Sequence, residues 1–415
     1  MNSISSTTNS SDSEPSMLNK FLKSQLLKKI DLLQYGSLTL QEQSQSRVLG
    51  VDKKSQQFGC LHISNEAFYT KTALGGSVGS AESYMDGDWH SEQLVDVMRL
   101  LIRNRDLLDN METGMASFTS WVMKVAHQFR KNTKTGSRKN IAAHYDLGND
   151  LFELFLDSKL MYSSAVFDSA NMDLEQATER KLQLICERLE LGADDHLLEI
   201  GTGWGGMAIY AAKHYGCKVT TTTISKQQYD YAKTRVVAEG LQDRITLLLE
   251  DYRDLTGQYD KLVSIEMIEA IGHQFQDTYF KKCASLLNDG GKALIQAITI
   301  EDHRYQQALS SVDFIKRYIF PGSYIPCVSS MVSSAANSGE LRLIALHDIG
   351  DSYAKTIHQW RDRFNQQKNN ILALGYDLRF IRMWDYYFAY CEAGFLEKSI
   401  SDVHLLFCKQ GNHST

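Results

Sequence analysis

The chain has 415 residues, of which 43% are hydrophobic and 23% charged, with a net charge of −6 at neutral pH. That length accommodates two domains and a sizeable core, and the composition is ordinary for a globular protein. The acidic balance argues against general nucleic-acid binding, so no nucleic-acid partner is expected, and no run of about eighteen apolar residues is present to cross a membrane.

Residues 1–16 are rich in Ser, Asn and Thr and lack a charged start followed by an apolar stretch. They are expected to be a disordered tail and not a secretion signal. Residues 17–34 place Leu18, Phe21, Leu22, Leu26, Ile30 and Leu33 at helical spacing, with Lys20, Lys23, Lys28 and Lys29 between them. Two readings stay open: an amphipathic helix packed on its own domain, or one lying on an anionic membrane. Residues 45–80 alternate and are turn-rich, which predicts a small sheet, and a helix is predicted over about 91–109. No acid occurs between Glu112 and Asp146, an interval that carries Lys124, Arg130, Lys131, Lys134, Arg138 and Lys139. It reads as a solvated linker or as a phosphate-attracting patch beside a lipid entrance. The domain boundary is placed here: a disordered tail at 1–16, an N-terminal domain at 17–130 and a second domain at 131–415.

From residue 175 onward helix and strand alternate. Helices are predicted at 175–190, 205–214, 226–239 and 275–287, and strands at 196–200, 217–223, 245–249, 261–265 and, after Gly290-Gly291, 292–298. Such βα alternation implies an α/β fold with a doubly wound, parallel sheet whose ligands bind outside the carboxyl ends of the strands. The first of these strands runs into a loop with glycines at 201, 203, 205 and 206. Glycines there let the backbone pass close to a ligand that a Cβ would exclude. Glu199 precedes the turn and no phosphate-binding Lys-Ser/Thr follows it. The ligand therefore reads as an adenosyl group without phosphates, which points to S-adenosylmethionine and methyl transfer. The tail, 355–410, is expected to hold one long helix and a final strand at 402–408.

Seven scattered cysteines without a Cys-x-x-Cys pair favour a reducing compartment and speak against disulfides or structural zinc. His273 and His303 have no metal-ligand spacing, and no metal is expected. His144 reads as a hydrogen-bonded structural histidine, and Asp88 and Trp89, next to Gly87, as a turn between the domains.

Six blocks then stand in order: HYDLGNDLFELFLDSKLMYSSAVF (144–167), LLEIGTGWGG (197–206), VSIEMIEAIG (263–272), GGKALIQAITI (290–300), DFIKRYIFPG (313–322) and RMWDYYFAYCEAGF (382–395). With AESYMDGDW (81–89), they resemble the cyclopropane-fatty-acyl-phospholipid synthases, relatives of the mycolic acid methyltransferases, from about residue 60 to the end. The resemblance implies a Rossmann-like class I methyltransferase domain with a mostly parallel sheet, behind a smaller N-terminal α+β domain associated with lipid or membrane. It implies transfer of the S-adenosylmethionine methyl to a cis double bond in an unsaturated phospholipid acyl chain, forming a cyclopropane. Peripheral contact with the inner, cytoplasmic face of a membrane and a homodimer are implied with it.

Residue by residue, the resemblance places Gly201 and Gly203, with Glu199 before them, in the cofactor loop. Tyr162 and Ser163 lie over the methionine end, Thr223, Ile224 and Gln228 follow the second strand, and Tyr252 and Arg253 follow the third. The acid that often grips ribose hydroxyls after the second strand is missing from 219–225, and Gln228 is placed to take over some of that polar work. The family holds a bicarbonate as general base. Its ligands match Glu269, Tyr387, the backbone at Ile298, and the side chains at 164 and 296. Two of these depart: Ser164 stands for a usual cysteine and Gln296 for a usual histidine. Both can hydrogen-bond an oxyanion, but glutamine cannot titrate near neutral pH.

The chemistry needs such a site. An alkene is a weak nucleophile, so the sulfonium carbon must stand about 3–3.5 Å from the double bond. Attack leaves a carbocation, which a dry pocket protects from water and aromatic faces stabilise by roughly 0.5–2 kcal/mol each. Tyr162, Phe167, Tyr318, Phe320, Trp384, Tyr386 and Tyr387 are the candidates. Base placement decides between ring closure and a methyl- or methylene-branched product. Plain alternatives stand beside these roles: Glu266 and Glu269 on one helix face, Tyr387 as a core tyrosine, and Cys391 as a small buried hydrophobe. Rival functions are C-methylation of the same lipid to a branched product, a small-molecule N- or C-methyltransferase, and a non-catalytic lipid-binding scaffold.

Overall fold

The computed structural model describes residues 17–43, 45–52, 58–110 and 148–411. The expected tail at 1–16, the basic interval, His144 and the boundary at 130 lie outside the described residues.

The front part begins with the helix Met17–Ile30, in which Leu22, Leu26 and Ile30 are buried while Met17, Leu18 and Phe21 stay exposed. Strands β1 (Ser37–Glu42), β2 (Gln45–Leu49), β3 (Phe58–Ile63) and β4 (Trp89–His90) form one sheet in the order β2-β1-β3-β4. β1 and β3 run parallel and the other pairs antiparallel. Residues 67–80, expected in this sheet, instead open the helix Ala67–Asp86. Its Gly and Ser residues read as turns, yet they permit a kink: Gly76 has φ 57° and ψ −139°. The backbone folds tightly on itself there, for a Cβ on Gly79 would stand 2.1 Å from the Lys71 carbonyl oxygen. The helix expected over 91–109 is two pieces, Leu94–Arg103 and Arg105–Asn110. Asn104 breaks it because its buried amide accepts from Gln34 N and Tyr35 N and donates to the Tyr35 and Leu100 carbonyls.

The rear part is the predicted α/β unit. Strands β5 (His196–Ile200), β6 (Lys218–Thr222), β7 (Ile245–Leu248), β8 (Tyr259–Ile265), β9 (Leu287–Ile300), β10 (Leu341–Asp348) and β11 (Ile400–Lys409) form a sheet in the order β10-β11-β9-β8-β5-β6-β7. β5 to β9 pair in parallel, while β11 runs antiparallel between β9 and β10. Burial on both faces explains why Leu197, Leu198 and Ile200 form a nearly continuous apolar run. Helices Leu174–Leu189, Gly206–Tyr215 and Lys226–Ala238 cover one face, with Ile185, Met207 and Val236 in a common core. Helices Gln276–Leu286 and Val328–Asn337 cover the other through Tyr279, Phe280 and Met331. Helix Leu174–Leu189 starts at a capping box in which Asp173 and Gln176 satisfy each other's backbone amides, a device worth about 1 kcal/mol.

The tail holds three helices instead of one: Gly350–Gln366, Lys368–Ala373 and Leu378–Leu396. Its apolar spacing is interrupted at Gly375 (φ 96°), which turns the backbone so that Leu378–Leu396 packs back on Gly350–Gln366. The same helix packs against Leu94–Arg103 and Ala67–Asp86. One hydrophobic core therefore spans front and rear, joining Phe68, Trp89 and Met98 to Phe155, Trp384 and Phe388. Tyr84 donates to Asp385 Oδ2 at 2.6 Å, and Arg99 and Arg103 pair with Glu397 across the same seam. Asp88 and Trp89 sit at this seam: buried Asp88 pairs with Lys71, and the Trp89 ring faces Tyr386.

Candidate active site

The Gly-rich loop leaves the carboxyl end of β5. Glu199, the last acid before it, is buried and accepts from Thr221 Oγ1 at 2.6 Å. Burial pushes its carboxyl up to about 8. The backbone N–H groups of Gly201 and Thr202 both donate to the Thr222 carbonyl at 3.0 Å, which fastens the loop to β6. Gly201 has φ +105°, a conformation that side chains strain to adopt. A Cβ on Gly203 would meet nothing within 4 Å, so this glycine faces open cavity.

Around the loop stand the side chains that follow β6 and β7. Thr223 donates to Gln228 Oε1 at 2.9 Å, with Ser225 capping the helix that carries Gln228. Asp251 grips Arg253 with two bonds, Nε to Oδ1 at 2.8 Å and Nη2 to Oδ2 at 2.7 Å. The buried hydroxyl of Tyr252 has no hydrogen-bond partner among the described residues. Tyr162 and Ser163 arrive from the segment before helix Leu174–Leu189. Glu199, Gly201, Gly203, Thr223, Ile224, Gln228, Tyr252, Arg253, Tyr162 and Ser163 all line one cavity of about 1110 Å³.

That cavity does not stop at the loop. It runs into the front part, where Leu26, Leu38, Leu61, Phe68, Val97 and Met98 form its wall. Of the seven aromatic candidates, Tyr162, Phe320, Tyr386 and Tyr387 line it. Trp384 packs behind them, its ring 5.6 Å from that of Tyr387. Phe167 and Tyr318 do not line it; Tyr318 reaches out to Glu82. Cys391 lines it too, and all seven cysteines are unpaired.

The far wall carries acids. Glu269 follows β8 in a 3-10 turn; its Oε1 accepts from the Ile298 N–H at 2.6 Å, and its buried Oε2 has no partner among the described residues. Burial, then the charge of Glu266, push the Glu269 carboxyl up to about 8. Tyr387 and Tyr162 place their hydroxyls 3.1 Å apart. The structure thus brings Glu269, Ile298 and Tyr387 to the cavity, but not the side chains of Ser164 and Gln296. Ser164 donates its hydroxyl to the Ala165 carbonyl, and Gln296 is wholly buried behind Glu266.

Glu266 is the residue that sequence reasoning left undecided. Its Oε1 accepts from the Ser164 N–H and from Gln296 Nε2, both at 2.8 Å, and its Oε2 accepts from Tyr353 at 2.6 Å. Gln296 Nε2 also donates to Asp402 at 2.8 Å, and its Oε1 faces His404 Nε2 at 3.1 Å. Arg188 contacts the other nitrogen of His404, and burial together with that cation holds the imidazole well below its ordinary pKa. Burial raises the carboxyls of both Glu266 and Asp402. Three donors favour the ionised form of Glu266, so the shared charge rests there and Asp402 keeps its proton. Lys181, wholly buried, donates to Ser163 at 2.6 Å and supplies the nearby positive charge. Among the described residues, no group of three or more His, Cys, Asp or Glu is placed to hold a metal, and no helix is long and apolar enough to cross a membrane.

The chain is similar to known proteins. Residues 132–405 match the family described as mycolic acid cyclopropane synthetase. The tuberculostearic acid methyltransferase UfaA1 of Mycobacterium tuberculosis is 37% identical over 341 residues, covering 80% of this chain and 78% of that protein. The cyclopropane-fatty-acyl-phospholipid synthase of Escherichia coli is 34% identical over 353 residues, covering 84% of this chain and 87% of the relative. Among solved structures, the mycolic acid cyclopropane synthase CmaA1 complexed with SAH and CTAB superposes with a TM-score of 0.61 at 28% identity, covering 66% of this chain and 98% of that one. The chain therefore belongs to the mycolic acid cyclopropane synthetase family and is an S-adenosylmethionine-dependent methyltransferase.

Proposed function

We propose that the enzyme transfers the S-adenosylmethionine methyl to the cis double bond of an unsaturated phospholipid acyl chain, forming a cyclopropane. One observation carries this reading: the cofactor loop and the apolar wall of the front part bound a single cavity. A long hydrocarbon tail has room there beside the cofactor, against an apolar wall that a small polar amine would leave unfilled. S-adenosylmethionine, when bound, supplies an electrophilic methyl group. Gly201 and Gly203 would let it sit against the backbone, and Gln228, on the same cavity, would serve the sugar. Tyr162, Phe320, Tyr386 and Tyr387 offer ring faces to a cation formed on the lipid and keep water away from it.

The front part, taken as the lipid-associated domain, would present the acyl tail from the inner face of a membrane. Exposed Met17, Leu18 and Phe21 on a lysine-bearing helix support that contact. A homodimer rests on the family resemblance alone.

A second reading has its own support. Ser164 and Gln296 turn their side chains away from the cavity, and the protein is similar to a tuberculostearic acid methyltransferase. Both favour a methyl- or methylene-branched product formed by the same first step. Incubation with S-adenosylmethionine and unsaturated phospholipid vesicles, followed by proton NMR of the lipid, tests both. Ring protons support the cyclopropane, exocyclic methylene protons the branch, and an unmodified lipid refutes the lipid reading.

A further inference from the structure

We propose that Glu266 is the catalytic base, standing where the family resemblance places a bicarbonate. This rests on the lipid-methylation reading above.

The backbone is the first sign. Glu266 sits at the end of β8 with φ +48°. A side chain in that left-handed region costs roughly 1–2 kcal/mol, and glycine would avoid the cost. Strain of this kind at a cavity wall is retained where a side chain has a task. Glu266 does line the cavity, beside Ser163 and Glu269.

The donors are the second sign. Positions 164 and 296 are the two at which this sequence departs from the expected cysteine and histidine; 296 serves Glu266 with its side chain, and 164 with the backbone N–H that any residue there would supply. The Ser164 N–H and the Gln296 amide each donate to Oε1 at 2.8 Å, and Tyr353 fixes Oε2 at 2.6 Å. A histidine at 296 could not donate from one nitrogen to two acids while accepting from His404, as the Gln296 amide does.

The third sign is that these residues do not fit a bicarbonate. The anion needs hydrogen-bond donors. The Ile298 N–H is given to Glu269, the Ser164 hydroxyl to Ala165, and the Gln296 amide to Glu266 and Asp402. Beside the Tyr387 hydroxyl and the Glu269 Oε2 left without a partner among the described residues, the wall presents ionised Glu266, and a second anion next to it would be repelled. A carboxylate is already in place, and burial raises its proton affinity towards that of a useful base.

The step balances. The alkene π pair forms the bond to the methyl carbon, and the sulfur–methyl bond breaks with its electrons left on sulfur. The neighbouring carbon of the acyl group becomes cationic. Glu266 then takes a proton from the added methyl group. The freed C–H pair closes the three-membered ring or, after a hydride shift along the acyl group, forms an exocyclic methylene. Glu266 becomes a neutral acid and yields the proton to water once the product has left.

The test uses the full-length protein with two variants, Glu266→Gln and Glu266→Gly, the latter compatible with φ +48°. ¹³C-bicarbonate is titrated into protein saturated with S-adenosylhomocysteine and followed by NMR. Turnover on dioleoyl phosphatidylglycerol vesicles is measured in CO₂-free buffer with and without added bicarbonate. The wild type is expected to bind no bicarbonate and to turn over equally in both buffers. Glu266→Gln should lose on the order of 10²–10⁴-fold in turnover with unchanged S-adenosylhomocysteine affinity. Glu266→Gly should regain activity when formate or bicarbonate is added. Bicarbonate bound to the wild type, or wild-type turnover that collapses when it is withdrawn, overturns the proposal. A wild type that methylates no lipid in either buffer overturns the functional reading instead, while the NMR titration still decides whether bicarbonate has a site.

Discussion

Lys181 donates to the Ser163 hydroxyl at 2.6 Å from a wholly buried position, so the cation behind the active site is tied to a residue of the cavity wall. Burial pulls its pKa down, and the nearby Glu266 and Asp157 oppose that pull. Removing the ammonium while leaving the acids strands a buried charge. Lys181→Met is expected to destabilise the fold by about 3–5 kcal/mol, the usual cost of breaking a buried pair from one side. Urea unfolding measures it. A loss below about 1 kcal/mol, the scale of exposed pairs, would show that the acids are neutral without the lysine.

The cofactor loop yields a prediction in two parts. Gly201→Ala forces φ +105° on a residue with a Cβ, so the loop must shift off the Thr222 carbonyl. S-adenosylhomocysteine affinity should fall at least about tenfold, or 1.4 kcal/mol, with little change in folding. Gly206→Ala behaves differently. Its Cβ would stand 2.6 Å from Met161 Sδ and 2.8 Å from the Lys159 carbonyl oxygen, which is overpacking costing about 1–3 kcal/mol of stability. Calorimetric titration and thermal unfolding of each variant separate the two effects.

These two glycines also mark what a sequence makes legible. Most of the proposed cofactor wall was readable because it is local: Gly201, Gly203, Thr223, Ile224, Tyr252 and Arg253 follow the ends of β5, β6 and β7, and parallel strands buried on both faces announce themselves as apolar runs. The proposed catalytic wall was not. Glu266 meets Tyr353 across 87 residues of sequence and Ser164 across 102. Nothing in a glutamate codon reveals a positive φ, so the left-handed backbone that Glu266 shares with Gln43, Leu160, Glu190 and Lys398 is visible only in the fold. The same reasoning covers the missed elements. Among the described residues β10 pairs only with β11, and it leaves Ile344 and Leu346 exposed, so it shows no clean alternation. Helix Ala67–Asp86 hides its period behind glycines used for a kink.

Stability should depend on pH through two carboxyls. Burial raises Glu199 and Glu269 to about 8 from an ordinary value of 4.5. Between those values the folded protein holds protons that the unfolded protein has released. The contribution is fully present below the unfolded value and is lost as pH rises through the folded one. Glu269→Gln removes the titration, so the variant should gain stability relative to the wild type as pH goes from about 5 to about 8. Urea midpoints of both proteins at the two pH values check this. A constant difference would place the Glu269 carboxylate in water.

The helix Met17–Ile30 joins surface to cavity. Met17, Leu18 and Phe21 are exposed, Lys20 and Lys28 point to solvent, and Phe21, Leu22 and Lys29 line the cavity. A lipid drawn from a bilayer would meet this helix at the mouth of the acyl site. Each lysine near an anionic surface contributes about 1 kcal/mol, and salt screens it within roughly 10 Å. Turnover on phosphatidylglycerol vesicles should therefore fall as salt rises, while S-adenosylhomocysteine affinity stays flat. Leu18→Asp with Phe21→Asp should cut vesicle binding in flotation assays at least about tenfold, because two apolar contacts become charges beside anionic headgroups. Vesicle binding indifferent to both salt and these substitutions would assign the helix to packing alone and move the lipid entrance elsewhere on the molecule.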